Sequence, residues 1–254
     1  MRDGDHAPTL CLGAVEVEPE DGASWAPAPW SILPSHRNTK PLPNPWQLEI
    51  AGVHLMQSAY PDAMAAYTVH PLRPDTWDAY ARLIERHNGV WGGCWCLAFH
   101  PKSPERGQSF DGNRALKQRL VNAGQAHAAV VFDGDRAVGW CQYGTPEELP
   151  SIYHRKEYEA GLVELPDYRI TCFFVDRDYR RAGVAAVALR GALDLIAEAG
   201  GGVVEAYPQD TQGKKVSASF LYNGTRGLFE QAGFAYERPK GKNHCVMRSS
   251  IAPH

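Results

Sequence analysis

The stretch that decides the fold is residues 172–185, which read Cys-Phe-Phe-Val-Asp-Arg-Asp-Tyr-Arg-Arg-Ala-Gly-Val-Ala. An apolar strand runs directly into a turn with small residues, and the turn opens an apolar helix. The first N–H groups of a helix have no partner within it, and the helix dipole adds positive potential at the same end. Gly183 has no side chain to block close approach, while Arg180 and Arg181 add positive charge. The pattern therefore predicts a cradle for phosphate groups.

Two other nucleotide-binding motifs are absent from the sequence, namely Gly-x-x-x-x-Gly-Lys-Ser/Thr and a Gly-x-Gly-x-x-Gly after a strand. Instead, the chain holds Arg-x-x-Gly-x-Ala from Arg180 to Ala185, which resembles the pyrophosphate signature of the GNAT superfamily of N-acetyltransferases. Residues 224–234, Gly-Thr-Arg-Gly-Leu-Phe-Glu-Gln-Ala-Gly-Phe, are similar to a later helix of that family. The resemblance covers about residues 67–250, including the order of the elements.

The resemblance implies acetyl-CoA as co-substrate. It places the pyrophosphate on the amides of Arg181 to Ala185, and the pantetheine arm in a gap between two strands, bonded to the backbone of Phe173 and Val175. The alternative is an ordinary strand–turn–helix whose glycine serves packing alone. The predicted cofactor-binding residues are Phe173, Phe174, Val175, Arg180, Arg181, Ala182, Gly183, Val184 and Ala185.

Hydrophobic periodicity predicts the element order β-α-α-β-β-β-α-β-α-β-β from Thr68 onward, without an internal repeat. The longest helix is predicted over 182–199, where apolar residues form a continuous stripe at helical spacing. Asp75 is the predicted N-cap of the first helix. Together with the resemblance, this order predicts an α/β (α+β) fold: a GNAT-like, mixed and mostly antiparallel central sheet of about seven strands, with helices on both faces.

Composition divides the chain into two parts. Residues 1–65 contain nine prolines, three basic and eight acidic residues, which give a net charge of −5. Residues 66–254 contain 23 basic and 21 acidic residues, a net of +2. We therefore expect a largely irregular extension over 1–65 and a GNAT-like acetyltransferase domain over 66–254. A second interpretation takes Met64 as the natural start and part of residues 1–63 as an upstream start assigned in error.

The overall charge of −3 gives no reason to expect nucleic acid as a partner. No apolar run is long enough to span a bilayer, and residues 1–6 lack the order of a secretory signal, so we expect no membrane association and a cytoplasmic location with reduced thiols. The expected partner is a small-molecule or peptide amine, and the expected assembly is a monomer or homodimer.

Catalysis needs a base for the amine and a proton for the leaving thiolate. Many GNAT members use a tyrosine of the later helix as the acid, but this chain has Phe229 at that position. Tyr222, seven residues earlier, is the predicted substitute, with packing on the helix start as the alternative. Glu205 is the predicted base, with a structural ion pair as the alternative; Glu164, Asp167 or a water chain are other sources of a base.

A Trp- and Cys-rich stretch lies between the first two helices, where the resemblance places the acceptor pocket. It holds Cys-x-Cys and His100, but structural zinc sites usually need Cys-x-x-Cys and a second matching pair, so we predict no metal. The stretch forms either a wall of the pocket or a buried hydrophobic cluster. The predicted pocket residues are Trp91, Cys94, Trp95 and Cys96.

These observations predict an N-acetyltransferase that transfers acetyl from acetyl-CoA to a primary amine of a small molecule or side chain. Two other functions are compatible with the sequence. Phe229 favours an acyl-CoA-binding module without turnover, and the proline-rich residues 1–65 favour a protein-interaction module.

Overall fold

The computed structural model describes residues 67–211, 213, 216–217 and 220–254. The predicted extension, residues 1–65, lies outside this part of the chain. In the described residues seven strands form one sheet, in the order β1-β2-β3-β4-β5-β7-β6. The strands are β1 Thr68–Pro71, β2 His127–Asp133, β3 Arg136–Gly144, β4 Tyr168–Val175, β5 Gly202–Ala206, β6 Ala235–Lys240 and β7 His244–Ile251. Strands β4 and β5 are parallel, and the other neighbours in the sheet are antiparallel. The predicted mixed sheet is confirmed.

Helices cover both faces of this sheet. They are α1 Trp77–Arg86, α2 Phe110–Asn122, α3 Arg155–Ala160, α4 Val184–Glu198 and α5 Arg226–Gln231. Alternate residues of β2 point to opposite faces, as the pleat requires. Val130 joins a core with Tyr80 of α1, whereas Val131 joins a second core with Leu189 and Ile196 of α4. The sheet is therefore apolar on both faces, and each core buries one side of it.

Two local predictions differ from the structure. Thr76, not Asp75, is the N-cap of α1, and its hydroxyl donates to the carbonyl of Pro71 at 2.8 Å instead of accepting from the helix. The predicted order has no helix between β3 and β4, where the structure has α3, a helix of six residues. Six residues are too few for helical periodicity to be visible in a sequence.

The site is positioned by the point at which β4 and β5 separate. Parallel pairing joins Tyr168–Ile170 to Val204–Ala206 and extends no further. Beyond Ile170, no described strand lies on this side of β4, so the sheet opens there. This confirms the gap between two strands that the resemblance implies.

Among the described helices, none has both the length and the apolar character of a bilayer span.

Candidate active site

A cleft of about 1090 Å³ runs along the open edge of β4 to the start of α4. The end of α1 and the chain segment before α5 form its other walls. Eight of the nine predicted cofactor-binding residues line it, and Ala182 is not among the lining residues. The eight are Phe173, Phe174, Val175, Arg180, Arg181, Gly183, Val184 and Ala185.

The start of α4 forms one end of the cleft. Gly183 is its N-cap with φ +79°, a left-handed conformation that glycine adopts readily. No side chain caps this helix, so its first amides have no side-chain partner. Arg177, Arg180 and Arg181 line the same end, and no described residue that lines the cleft is a carboxylate. The helix dipole and the arginines together make this end suitable for an anion.

The edge of β4 presents alternate backbone groups to the cleft. The amide of Asp176 donates to the carbonyl of Val138 on β3 at 2.8 Å, which places the amides of Phe173 and Val175 on the opposite, open side. The Phe173 amide donates there to the carbonyl of Tyr222 at 2.6 Å. This corrects one detail of the predicted cofactor contacts, because the Phe173 amide already has a partner within the protein.

A buried carboxylate fixes the far end of β4. Asp176 is 1% exposed, and its Oδ2 accepts from Arg136 at 3.0 Å and from Arg86 at 3.4 Å. His87 Nε2 lies 3.2 Å from Oδ1. Although burial opposes ionisation, the amide of Asp178, Arg136 and His87 together lower the pKa of Asp176 to about 2. Asp176 is therefore an anion at neutral pH that lies beside the His87 imidazole.

His87 is a cleft residue that sequence reasoning missed. It follows α1 directly and lines the cleft, with its ring 5.0 Å from that of Phe174. The only signal in the sequence was its place directly before Asn88-Gly89, a pair typical of a helix end. That position does not show that Asp176, 89 residues later, lies beside it.

Aromatic rings wall the other end of the cleft. Trp91 lies edge-on to Phe174 at 6.3 Å and to Tyr222 at 5.8 Å, measured between ring centroids. Tyr222 is half-buried and lines the cleft, and burial raises the pKa of its phenol. The hydroxyl is therefore protonated through the neutral range, and it is a weaker acid than a free phenol. Phe229 is fully buried in the core, where it packs on Phe173 and Phe234.

Of the four predicted pocket residues, only Trp91 is among the described residues that line the cleft. Trp95 is fully buried and stacks on Trp77 at 5.8 Å. Cys96 is buried in the same core, and Cys94 is half-buried. The prediction of a pocket wall is thus corrected for Trp95 and Cys96, for which the alternative of a buried hydrophobic cluster describes the structure.

Glu205 lies outside the cleft lining, on β5. Its carboxylate is fully buried, accepts from the Tyr207 hydroxyl at 2.6 Å and pairs with Arg248 Nε at 2.8 Å. Both carboxylate oxygens therefore have structural partners. This matches the alternative role of Glu205 stated in the sequence analysis, a structural ion pair. We do not retain Glu205 as the base. In the part of the chain that the structure describes, no group of three or more His, Cys, Asp or Glu side chains is arranged to hold a metal ion.

Comparison with known proteins identifies the family of part of this domain. Residues 94–217 match the model of the acetyltransferase (GNAT) family. They form a GNAT acetyltransferase domain. Members of this family use acetyl-CoA as the acetyl donor and act on amine acceptors. No curated protein sequence matches the chain.

Solved structures similar to this GNAT domain have low sequence identity to it. The ribosomal-protein-S5-alanine acetyltransferase from Vibrio fischeri is 16% identical, and the match covers 73% of this chain and 93% of that chain with a TM-score of 0.41. The ribosomal-protein-S18-alanine N-acetyltransferase from Escherichia coli is 12% identical, with 74% and 96% covered and a TM-score of 0.40. A Salmonella typhimurium structure with its cofactor acetyl-CoA is 13% identical, with 74% and 96% covered and a TM-score of 0.42.

Proposed function

We propose that this protein is an N-acetyltransferase that transfers the acetyl group of acetyl-CoA to a primary amine of a small molecule or a side chain. The observation that supports this most is the continuity of the cleft. It joins an uncapped helix N-terminus lined by arginines to an aromatic end that carries His87 and Tyr222. The cleft thus contains groups suited to a phosphate-bearing donor and groups suited to an amine acceptor.

The chain offers suitable groups for the donor. The first amides of α4, with Arg180 and Arg181, would hold the pyrophosphate, and the edge of β4 at Val175 would carry the arm. Bound there, acetyl-CoA supplies an activated acetyl thioester. The left-handed Gly183 keeps side-chain atoms out of the cradle, so the backbone is accessible to the phosphates.

We assign the proton transfers to two residues of the aromatic end. His87, which lies beside the Asp176 carboxylate, accepts the proton of the attacking amine. Tyr222, whose phenol remains protonated, donates a proton to the departing sulfur. The His87 ring contacts that of Phe174, and the Tyr222 ring contacts that of Trp91, which in turn lies against Phe174, so the four rings form a continuous series in the cleft wall.

The residues that line the aromatic end of the cleft indicate which kind of amine would be the acceptor. The described residues at this end include Val90, Trp91, Phe174, Leu221 and Tyr222, and none that lines the cleft is a carboxylate. Such walls favour an acceptor with one amine on an apolar or aromatic body. A polyamine or a lysine-rich peptide would leave its additional charges without partners.

The experiment is a screen of thiol release from acetyl-CoA with a panel of arylalkylamines, alkylamines, polyamines and lysine peptides, with product mass as a second readout. Amine-dependent release is expected, with arylalkylamines the best acceptors. Gly183→Glu is the matched control and should lose release with every amine.

A second candidate is an acyl-CoA-binding module without turnover. It is favoured by Phe229 at the position of the family's tyrosine and by the structural engagement of Glu205. Calorimetric binding of acetyl-CoA without thiol release for any amine in the panel would select it.

A further inference from the structure

Two cysteines that the proposed reaction does not use are in contact in the core. The sulfur atoms of Cys96 and Cys172 lie 2.8 Å apart, and both residues are 3% exposed. Cys172 belongs to β4, next to the cleft residue Phe173. Cys96 belongs to the segment that begins at the cleft residue Trp91. The pair therefore lies behind the aromatic end of the cleft and joins two of its walls.

A buried lysine lies close to these thiols. Lys117 of α2 is fully buried, and its Nζ donates to Gln142 Oε1 at 3.0 Å and lies 3.0 Å from His100 Nε2. Gln142 in turn donates to the hydroxyl of Thr171, the residue before Cys172. No carboxylate pairs with Lys117 in the described part of the chain. Since a buried cation requires compensation, a thiolate is the anion that this environment favours.

The ionisation of the two thiols differs accordingly. Although burial opposes it, the hydrogen bond with Cys172 and the charge of Lys117 bring the pKa of Cys96 below its ordinary value. Burial, reinforced by the hydrogen bond with Cys96, raises the pKa of Cys172. Burial lowers the pKa of Lys117 to about 8, and the neighbouring Cys96 opposes that shift. Cys96 is thus the nucleophile of the pair, because the thiolate is the reactive form.

The backbone around Cys96 is strained. Trp95 and Cys96 have φ of +50° and +54°, in the left-handed region that residues with a β-carbon rarely adopt. Such conformations persist where the surrounding structure holds them and often mark functional positions.

We propose that Cys96 and Cys172 are a redox modification site that forms a reversible disulfide with a hydroperoxide as oxidant. The Cys96 thiolate attacks a peroxide oxygen, the O–O bond breaks, and the remaining oxygen leaves as water or an alcohol after protonation. Cys96 becomes a sulfenic acid. The Cys172 sulfur then attacks the Cys96 sulfur, the S–O bond breaks, and the hydroxyl leaves as water with the Cys172 proton. Two thiols lose two electrons in total, and one peroxide gains them.

The fold accommodates this bond with little movement. The sulfurs need to approach by less than about 1 Å to reach bonding distance. The crosslink joins residues that are 76 positions apart, so it closes a long loop of the unfolded chain. It also ties the segment that carries Trp91 to β4, which stiffens the aromatic end of the cleft.

The test uses the full chain and hydrogen peroxide, and none of its readouts depends on acetyl transfer. After treatment, remaining thiols are alkylated in denaturant, and peptides are mapped by mass without reduction. We expect a peptide linking Cys96 to Cys172 that dithiothreitol removes, and a Tm higher by roughly 5–15 °C. Cys96→Ser and Cys96→Ala should lose both effects, whereas Cys141→Ser, at a fully buried thiol of the opposite core, should keep both.

A charge variant tests the role of the lysine. Lys117→Met keeps most of the side-chain volume and should slow formation of the linked peptide by about tenfold or more. Linkage through Cys94, or full alkylation of Cys96 and Cys172 after peroxide, would overturn the proposal. An oxidation rate unchanged in Lys117→Met would overturn the assignment of Lys117.

Discussion

The carbonyl of Tyr222 accepts a hydrogen bond from the amide of Phe173, over 2.6 Å. Asn223, the next residue, donates from its side chain to the carbonyl of Thr171, also at 2.6 Å. These two bonds hold the segment before α5 against β4, on the side where β5 has separated from it. Tyr222 takes part in these bonds only through its backbone carbonyl, so its phenol remains available to the cleft.

Tyr222→Phe should lower the rate of acetyl transfer by roughly 10²–10⁴-fold, the range of a general acid, with little change in acetyl-CoA affinity. The backbone bond to Phe173 does not involve the hydroxyl, so docking and packing should persist. The measurement is kcat with the best amine beside calorimetric Kd. Tyr236→Phe, on an exposed tyrosine of β6, is the control. Unchanged kcat in Tyr222→Phe would make Tyr222 a packing residue.

Gly183→Glu should abolish acetyl-CoA binding, because it places a side chain and a negative charge in the cradle at the start of α4. Any residue with a β-carbon at φ +79° also costs roughly 1–2 kcal/mol of stability. Gly183→Ala carries that same backbone cost without the charge, so it separates the two effects. Both variants should melt alike, whereas only Gly183→Ala should bind. Near-wild-type affinity of Gly183→Glu by calorimetry would refute the cradle.

The arginine-lined end of the cleft was predictable because its determinants are contiguous. Strand, turn, glycine and helix follow one another within residues 172–185, and local geometry places eight of the nine predicted residues in the cleft. The strands of the sheet were predictable for a similar reason. Consecutive apolar residues such as Val130 and Val131 point to opposite faces of the sheet and so belong to two different cores.

The proposed catalytic residues could not be predicted in the same way, because their contacts join positions that are distant in the sequence. His87 lies beside Asp176, 89 residues later in the chain, and the two carboxylate oxygens of Glu205 are occupied by Tyr207 and Arg248. Nothing local in the sequence distinguishes a carboxylate in an ion pair from one that faces a substrate. Cys96 was likewise visible only as part of a Trp/Cys-rich stretch, not as the partner of Cys172.

Acidification below about pH 6.5 should destabilise the fold through His100. Burial and the charge of Lys117 lower the pKa of His100 to about 2 in the folded state, whereas an unfolded histidine titrates near 6.5. Between these values the unfolded chain binds the additional proton, so the free energy of unfolding falls by up to about 1.4 kcal/mol per pH unit as the pH decreases. This stability is fully present above about pH 6.5.

Urea unfolding at pH 7.5 and pH 5.5 measures this effect. His100→Gln retains an acceptor for Lys117 and should show a smaller loss between the two pH values. His70→Gln, at an exposed histidine of β1, should behave as the wild type. Equal losses in His100→Gln and the wild type would assign the acid sensitivity to other groups.

A truncation that starts at Met64 should be soluble and bind acetyl-CoA about as well as the full chain. The nine prolines and the acidic balance of residues 1–65 motivate this, and every described residue of the cleft lies after residue 86. Calorimetry on both proteins provides the measurement. Loss of solubility or of binding would show that the removed segment, which carries Trp25, Trp30 and Trp46, completes the domain.

His87→Gln should lower kcat/KM by roughly 10²–10⁴-fold and change the shape of its pH profile, because the general base is removed. Glutamine has a similar length and cannot accept a proton, and the Asp176 carboxylate keeps Arg86 and Arg136 as partners. The measurement is the pH profile of kcat/KM with a weakly basic amine, whose own protonation lies below the range studied. His127→Gln, which alters a histidine paired with Glu148 outside the cleft lining, should keep the wild-type profile. A His87→Gln profile lowered uniformly at every pH would make His87 a positioning residue, and the amine would then lose its proton to water.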